Sequence, residues 1–358
     1  MRKNSGITWI YKTATMTLLA GLLLTGCGKN TQNTDAGIEA VEALEYQSAL
    51  ECFEKAIVEN EDLELAYRGQ GLAYLGMMDY AHAIESFEKA LSHAGMFVTD
   101  TELDINYYLA TAQYKSGQYE EALKSLNAIA DLKEKQDDVY FMRGSIYMQS
   151  GDYEAAVNDL NKALVNSKND IGMTIDIYQV FAGNGREAEG KAYLSAALDK
   201  RLDDMSDYEK GVIYYYMGDY ENARNFLETS KGKDKNGAND RDILLMLGKT
   251  YEQLGDSNYA GGLYGKYIEE HGGDPVIYNQ LGLCKLATGA YEEARSAFEN
   301  GIKAEGPNPV LQELKFNRVV AYEYLSDFTK AAALMREYLE SYPDDADAQR
   351  EFEFLQTR

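Results

Sequence analysis

One spacing constrains this chain more than any other feature. A small residue recurs at Ala49, Ala83, Ala122, Ala156, Gly190, Ala223, Ala260, Ala294 and Ala331, at steps of 34, 39, 34, 34, 33, 37, 34 and 37 residues. Around it lies a phrase first seen whole at Gly76 to Ala90, Gly-Met-Met-Asp-Tyr-Ala-His-Ala-Ile-Glu-Ser-Phe-Glu-Lys-Ala. Its core returns as Gly117-Gln-Tyr-Glu-Glu-Ala, Gly151-Asp-Tyr-Glu-Ala-Ala, Gly218-Asp-Tyr-Glu-Asn-Ala and Gly289-Ala-Tyr-Glu-Glu-Ala. A period near 34 residues fixes the architecture before any single residue is weighed, because each unit must bury its apolar face on the next.

The phrase reads as the junction of two antiparallel helices, A and B. Its Gly is expected to end helix A, where a left-handed residue costs least. Asp79, Asp152 and Asp219 are placed to cap helix B. From the small residue onward apolar residues follow at spacings of three and four, as in Ala83, Phe87, Ala90 and in Ala156, Leu160, Ala163. That is the buried stripe of an amphipathic helix. The small residue lets the two helices approach closely.

The pattern resembles the tetratricopeptide repeat (TPR) family. The matching residues are Gly71, Tyr74, Gly76, Tyr80, Ala83, Phe87 and Ala90 in the second repeat. In the fourth they are Tyr140, Gly144, Tyr147, Gly151, Tyr153, Ala156, Leu160 and Ala163. In the eighth they are Tyr278, Leu281, Gly282, Gly289, Tyr291, Ala294 and Phe298. The resemblance implies an all-α fold: a right-handed α-α superhelical solenoid of about nine helix pairs over residues 36–343, closed by a C-terminal capping helix in 344–358. It departs at the fifth repeat, with Tyr178 and Gly190 where Gly and Ala are usual. It departs also at the first, whose helix A is short, around Gly37 to Leu44. Phe352 and Leu355 would cover the last repeat while Arg350, Glu351 and Glu353 face water.

Residues 1–26 read as a leader rather than as part of the fold. Arg2, Lys3 and Lys12 precede a mostly apolar run from Ala14 to Leu24, too short to span a bilayer. It ends in Leu24-Thr25-Gly26-Cys27, which looks like the lipobox of bacterial lipoproteins. The resemblance makes Cys27 the acylated first residue of the mature chain. That chain would be exported and lipid-anchored to the bacterial cell membrane, facing outside the cytoplasm. Residues 27–35 would be a polar tether. Cys52 and Cys284 fall seven repeats apart and are not expected to meet, since a repeat touches only its neighbours.

Loss of Arg2, Lys3 and Lys12 with the leader takes the formal charge from −24 to −27. So acidic a chain lacks the Lys and Arg that would neutralise phosphates, which excludes nucleic acid as a natural partner. It equally disfavours flat adhesion to anionic lipid, leaving the lipid anchor as the only expected membrane attachment. No cofactor, metal or catalytic set is expected. His82, His93 and His271 are scattered. Gly248-Lys249-Thr250 ends like a P-loop, but Ile243 stands where that loop needs Gly. Asp234, Asn236 and Asp240 lack EF-hand spacing. All four prolines, Pro275, Pro307, Pro309 and Pro343, fall at predicted inter-repeat turns.

In TPR proteins helix A residues line an inner groove that takes a peptide or a partner helix. Carried over by register, that groove would comprise Arg68, Leu72, Leu75, Tyr107, Tyr114, Phe141, Met148, Tyr208, Val212, Tyr215, Leu283, Leu286 and Phe316. The Lys/Asn clamp that holds C-terminal carboxylates in some members is missing: the corresponding pairs are Arg68/Leu72, Tyr107/Thr111 and Phe141/Ser145. The expected role is a non-enzymatic, membrane-anchored scaffold or adaptor for a protein or peptide. The alternative is a solute- or glycan-binding lipoprotein that uses groove tyrosines as stacking platforms.

Overall fold

The computed structural model describes residues 31–133, 136–233, 240–343 and 345–358. The leader, Cys27 and most of the 234–240 loop therefore lie outside the described residues. Among the described residues there are nineteen helices and no strand. They form nine antiparallel pairs and a final helix. Helices A and B of the pairs are α1 Gln32–Glu42 and α2 Tyr46–Val58, α3 Leu63–Gly76 and α4 Tyr80–Ser92, then α5 Asp100–Lys115 and α6 Tyr119–Leu132. Next come α7 Asp137–Ser150 and α8 Tyr153–Asn166, α9 Ile171–Gly183 and α10 Glu187–Arg201, then α11 Asp207–Met217 and α12 Tyr220–Lys233. The last pairs are α13 Asp240–Gln253 and α14 Ser257–His271, α15 Pro275–Ala287 and α16 Tyr291–Lys303, and α17 Leu311–Tyr324 and α18 Phe328–Ser341, followed by α19 Ala346–Leu355. The chain divides into two compact units, one ending at Tyr193 and one beginning at Leu194.

Within each unit, one side chain locks each pair. Four residues after the small residue of helix B stands Phe53, Phe87, Leu126, Leu160, Leu194, Leu227, Tyr264, Phe298 or Met335, and all nine are inaccessible to solvent. Sixteen residues before each stands its register partner on helix A, and six of these partners are glycine. A Cβ added at Gly71 would lie 2.6 Å from the Phe87 ring, and one at Gly282 would lie 2.3 Å from Phe298. Helix A thus offers a hole without a side chain, and helix B fills it. Where the hole carries Ala110 or Val319, the knob is Leu126 or the flexible Met335. The fifth pair inverts the scheme. Tyr178 occupies the helix A position, and helix B answers with Gly190, where a Cβ would come within 3.0 Å of the Tyr178 carbonyl oxygen.

The turns from A to B are as regular as the knobs. A left-handed residue occurs at Leu44, Met78, Gly117, Gly151, Gly185, Gly218, Gly255, Gly289 and Ser326. The next residue donates its N–H to the carbonyl five positions back in all nine turns, for example Asp152 to Tyr147 at 2.9 Å. This is the Schellman bond that satisfies a helix end. The same residue then caps helix B: Asp79, Asp152, Asp219, Asp256 and Asp327 each accept a backbone N–H three residues on. Gly76 departs from its expected role. It lies inside α3, the left-handed position belongs to Met78, and a Cβ at Gly76 would sit 2.3 Å from the Tyr46 ring. Its glycine serves close approach rather than the turn.

Two boundaries differ from expectation. Helix α1 starts at Gln32, so residues 32–35 of the expected tether are helical. The cause is Glu61, whose carboxylate accepts from the Thr34 N–H and hydroxyl at 2.9 Å each and from Asn33 Nδ2 at 2.8 Å. A helix start with free N–H groups welcomes such a carboxylate. Burial works to raise the Glu61 pKa, yet the hydrogen bonds from Thr34 and Asn33 leave it lowered. At the other end, α19 begins at Ala346 and buries Ala348 and Leu355 on the last pair, with Phe352 half-buried. Glu351, expected in water, is half-buried opposite Glu323, whose carboxyl is pushed up to about 7 by burial and by that neighbour. The prolines lie at inter-repeat turns as expected, with Pro275 opening α15 behind the Asp274 cap. Cys52 and Cys284 are free.

Two substitutions test this scheme. Gly71→Ala should lower stability by about 1–3 kcal/mol, because the added methyl forces Phe87 off its seat. Met78→Gly should raise it by about 0.5–1 kcal/mol by relieving a left-handed non-glycine residue. Urea midpoints of the two variants against the parent measure both.

Candidate partner-binding surface

Within the first unit, successive A helices α1, α3, α5, α7 and α9 touch one another, whereas successive B helices stay further apart. The A helices therefore form a continuous face there. In the second unit α11 touches α13, and α15 touches α17. These faces carry the residues that the register nominates.

On the first unit Arg68 bridges two repeats. Its Nε lies 2.6 Å from Asp104 Oδ2, and its guanidinium stands 5.9 Å from the Tyr108 ring centroid. Leu72 and Leu75 are half-buried against the Phe87 cluster. Tyr107 is half-buried and meets Tyr108 edge-on at 5.9 Å. Burial raises its phenol, with Asp138 adding to the effect. Tyr114 is tilted against Tyr119 at 5.8 Å, and the Lys115 ammonium lies 5.7 Å from the Tyr114 ring centroid. Phe141 and Met148 do not belong to this surface. Both are buried in the core with Ile146 and Leu160, 3% and 6% exposed respectively. The Thr111 and Ser145 hydroxyls donate to the carbonyls of Tyr107 and Phe141, one turn back. Nothing at those positions is left to grip a carboxylate.

On the second unit Tyr208 is half-buried against the leucines of α13, and burial followed by the Asp242 charge pushes its phenol up to about 12. Tyr215 meets Tyr216 and Tyr220 edge-on at 5.4 and 5.6 Å. Leu283 and Leu286 are half-buried against the Phe298 cluster, and Phe316 meets Tyr338 edge-on at 5.8 Å. Val212 is the correction here. It is 7% exposed and faces inward. At all three corrected positions the neighbouring side chains close over the register site.

The register missed Tyr108, Asp104 and Lys115. The signal for Arg68–Asp104 was present in the chain, since opposite charges 36 residues apart fall on facing edges of adjacent repeats. Lys115 is the unusual member. Among the described residues no carboxylate is paired with it, and burial pulls its ammonium down to about 8. The histidines are framework: His93 stacks on Tyr67, His82 on Tyr74 and His271 on Tyr267. Lys249 and Thr250 lie on helix α13, and among the described residues no strand precedes them. Among the described residues no group of three or more His, Cys, Asp or Glu is placed to hold a metal ion.

Models of the tetratricopeptide repeat match residues 34–97, 107–172, 208–231 and 275–308, more than half of the chain. The chain belongs to the tetratricopeptide repeat family. Among curated proteins this TPR chain is similar to the TPR repeat-containing protein MJ1428 of Methanocaldococcus jannaschii, 23% identical over 235 residues. That match covers 61% of this chain and 40% of the relative. It is also similar to Superkiller protein 3 of Schizosaccharomyces pombe, 23% identical over 142 residues, 38% of this chain and 10% of the relative. The chain thus spans less than half the length of either curated relative. Among solved structures a tetratricopeptide repeat protein from Parabacteroides merdae is 18% identical, with a TM-score of 0.42 over 70% of this chain and 97% of that one.

Lys115 yields a signed prediction. A lysine whose folded pKa is depressed contributes stability above its unfolded pKa and loses it as pH falls through the folded value. At pH 7 the buried ammonium is therefore a cost. Lys115→Met should raise the thermal midpoint by about 2–4 °C at pH 7. The gain should shrink at pH 10, where the parent lysine is neutral in the fold; scanning calorimetry at the two pH values measures the difference.

Proposed function

We propose that this TPR protein is an exported, lipid-anchored scaffold that holds a protein or peptide partner on its A-helix faces. A TPR array serves protein–protein interaction in general, and the family is typically non-enzymatic. The finer reading rests on one observation. Arg68, Leu72, Leu75, Tyr107 and Tyr114 survive as half-buried residues on the continuous A face of the first unit. Rings and aliphatic chains fixed in this way lose little freedom on binding, and an arginine beside them adds direction. The missing carboxylate clamp points to an internal segment or a helix as the ligand rather than a chain terminus. The formal charge of −24 speaks for a partner that is neutral or basic at its contact. Anchoring at Cys27 and a position outside the cytoplasm rest on the lipobox resemblance.

The acylated full-length protein, immobilised and exposed to detergent extract of its own cells, supplies the test. One protein should be retained by the parent and at least about tenfold less by the Leu72→Ala/Tyr107→Ala variant, with helicity and thermal midpoint checked alongside. Equal retention by both would sink the first-unit A face as the binding surface.

A further inference from the structure

The loop between α4 and α5 carries Met96, Phe97 and Val98, which are 93%, 81% and 64% exposed. Single exposed apolar side chains are ordinary, but three in succession at a loop tip ask for a covering partner. The position of the loop says which. Helix α1 begins beside the turn after α2, through the bonds from Asn33 to Glu59 and Glu61. That turn, residues 59–64, shares a surface depression with His93 and Gly95. The start of the described chain and the Phe97 loop therefore lie on one edge of the first unit. All its A helices begin there and its B helices end there. Val58, Leu132 and Val165, at the ends of α2, α6 and α8, are exposed along the same edge.

From Cys27 to Gln32 the chain advances five residues, a reach of at most about 18 Å in any conformation. An acyl anchor at Cys27 consequently holds this edge near the bilayer. We infer that the Met96–Val98 tip inserts into the lipid interface and sets how the first unit stands on the membrane. This inference rests on the anchor reading of Cys27. Phenylalanine and methionine suit that boundary, and a second apolar contact turns a tether into a fixed orientation. Glu59, Glu61, Asp62 and Glu64 line the depression beside the loop. The matching surface is thus a zwitterionic lipid interface entered by apolar side chains, not an anionic one held by charge.

The sequence supplies its own probe. Trp9 is the single tryptophan and precedes Cys27, so the processed chain has none. The acylated full-length Phe97→Trp protein, produced with its leader and reconstituted in phosphatidylcholine vesicles, then reports on the loop alone. Gln149→Trp, at the far end of the 14-residue helix α7, stands about 20 Å away along the helix and serves as control. Intact mass is measured on the same samples. A blue-shifted indole at position 97, quenched by brominated lipid at least about twofold more than the control, is the expected result. Acylated protein whose indole stays water-exposed, or is quenched no more than the control, would overturn the inference alone. An unacylated mature chain would overturn the anchor reading and the inference with it. A blue shift that needs no vesicles and grows with protein concentration would assign the loop to a second copy and overturn it as well.

Discussion

A knob on helix B seated in a hole on helix A is the contact on which the rest depends. Nine knobs, from Phe53 to Met335, are sealed from water at the same register. Sealing a phenylalanine or leucine stabilises by about 1.5–3 kcal/mol, and each seat also fixes how its two helices cross. The sizes are matched at most of these seats: Gly faces Phe, Tyr or Leu, Ala faces Leu, Val faces Met, and Tyr178 stands against Gly190. Interiors are packed like crystals, so a hole and its knob have to be chosen together. Tyr264 takes the largest seat, over Gly248, and its hydroxyl donates to Glu252 Oε1 at 3.0 Å. A polar tip is tolerated there because it has a partner.

Polar groups supply direction where the knobs supply attraction. Each turn from A to B closes its helix with a Schellman bond, and five of the nine open the next helix with an aspartate cap, so the two helices are set antiparallel by local chemistry before they pack. Inter-repeat pairs such as Arg68–Asp104 and Arg241–Asp274 then tie neighbours at the edges. Arg143 reaches the buried Asp159 through two nitrogens and Asn127 through a third. This bidentate pair lies inside one repeat, and its geometry leaves neither Arg143 nor Asp159 unpaired.

The faces left by this packing define what the protein offers to others. The A face of the first unit presents rings and leucines that are held by their neighbours, with one arginine already engaged to an aspartate. The opposite chemistry lies at the edge where the A helices begin, with exposed apolar tips among carboxylates. The proposed scaffold role would use both kinds of surface, one to receive a partner and one to fix the protein's own orientation. Here they occupy different sides of the same repeats.

The number of helix pairs, the places of most turns, the caps at Asp79, Asp152 and Asp219 and the departure at the fifth repeat were legible in the sequence; that Gly190 makes room beside Tyr178 was not. They are local or strictly periodic, and a repeat of near 34 residues states them nine times over. Phe141, Met148 and Val212 share register with Tyr107, Tyr114 and Leu72, yet they are buried while the others are half-open. Register names the side of a helix; the bulk and tilt of the next repeat decide how much of that side water can reach. Gly76 shows the same limit, since its neighbour Tyr46 lies thirty residues away in the chain. The early start of α1 depends likewise on a carboxylate from the turn after α2. Local chemistry determined the elements and their count, and only tertiary packing decided which of their faces remain free, because exposure is a property of neighbours and not of a residue alone.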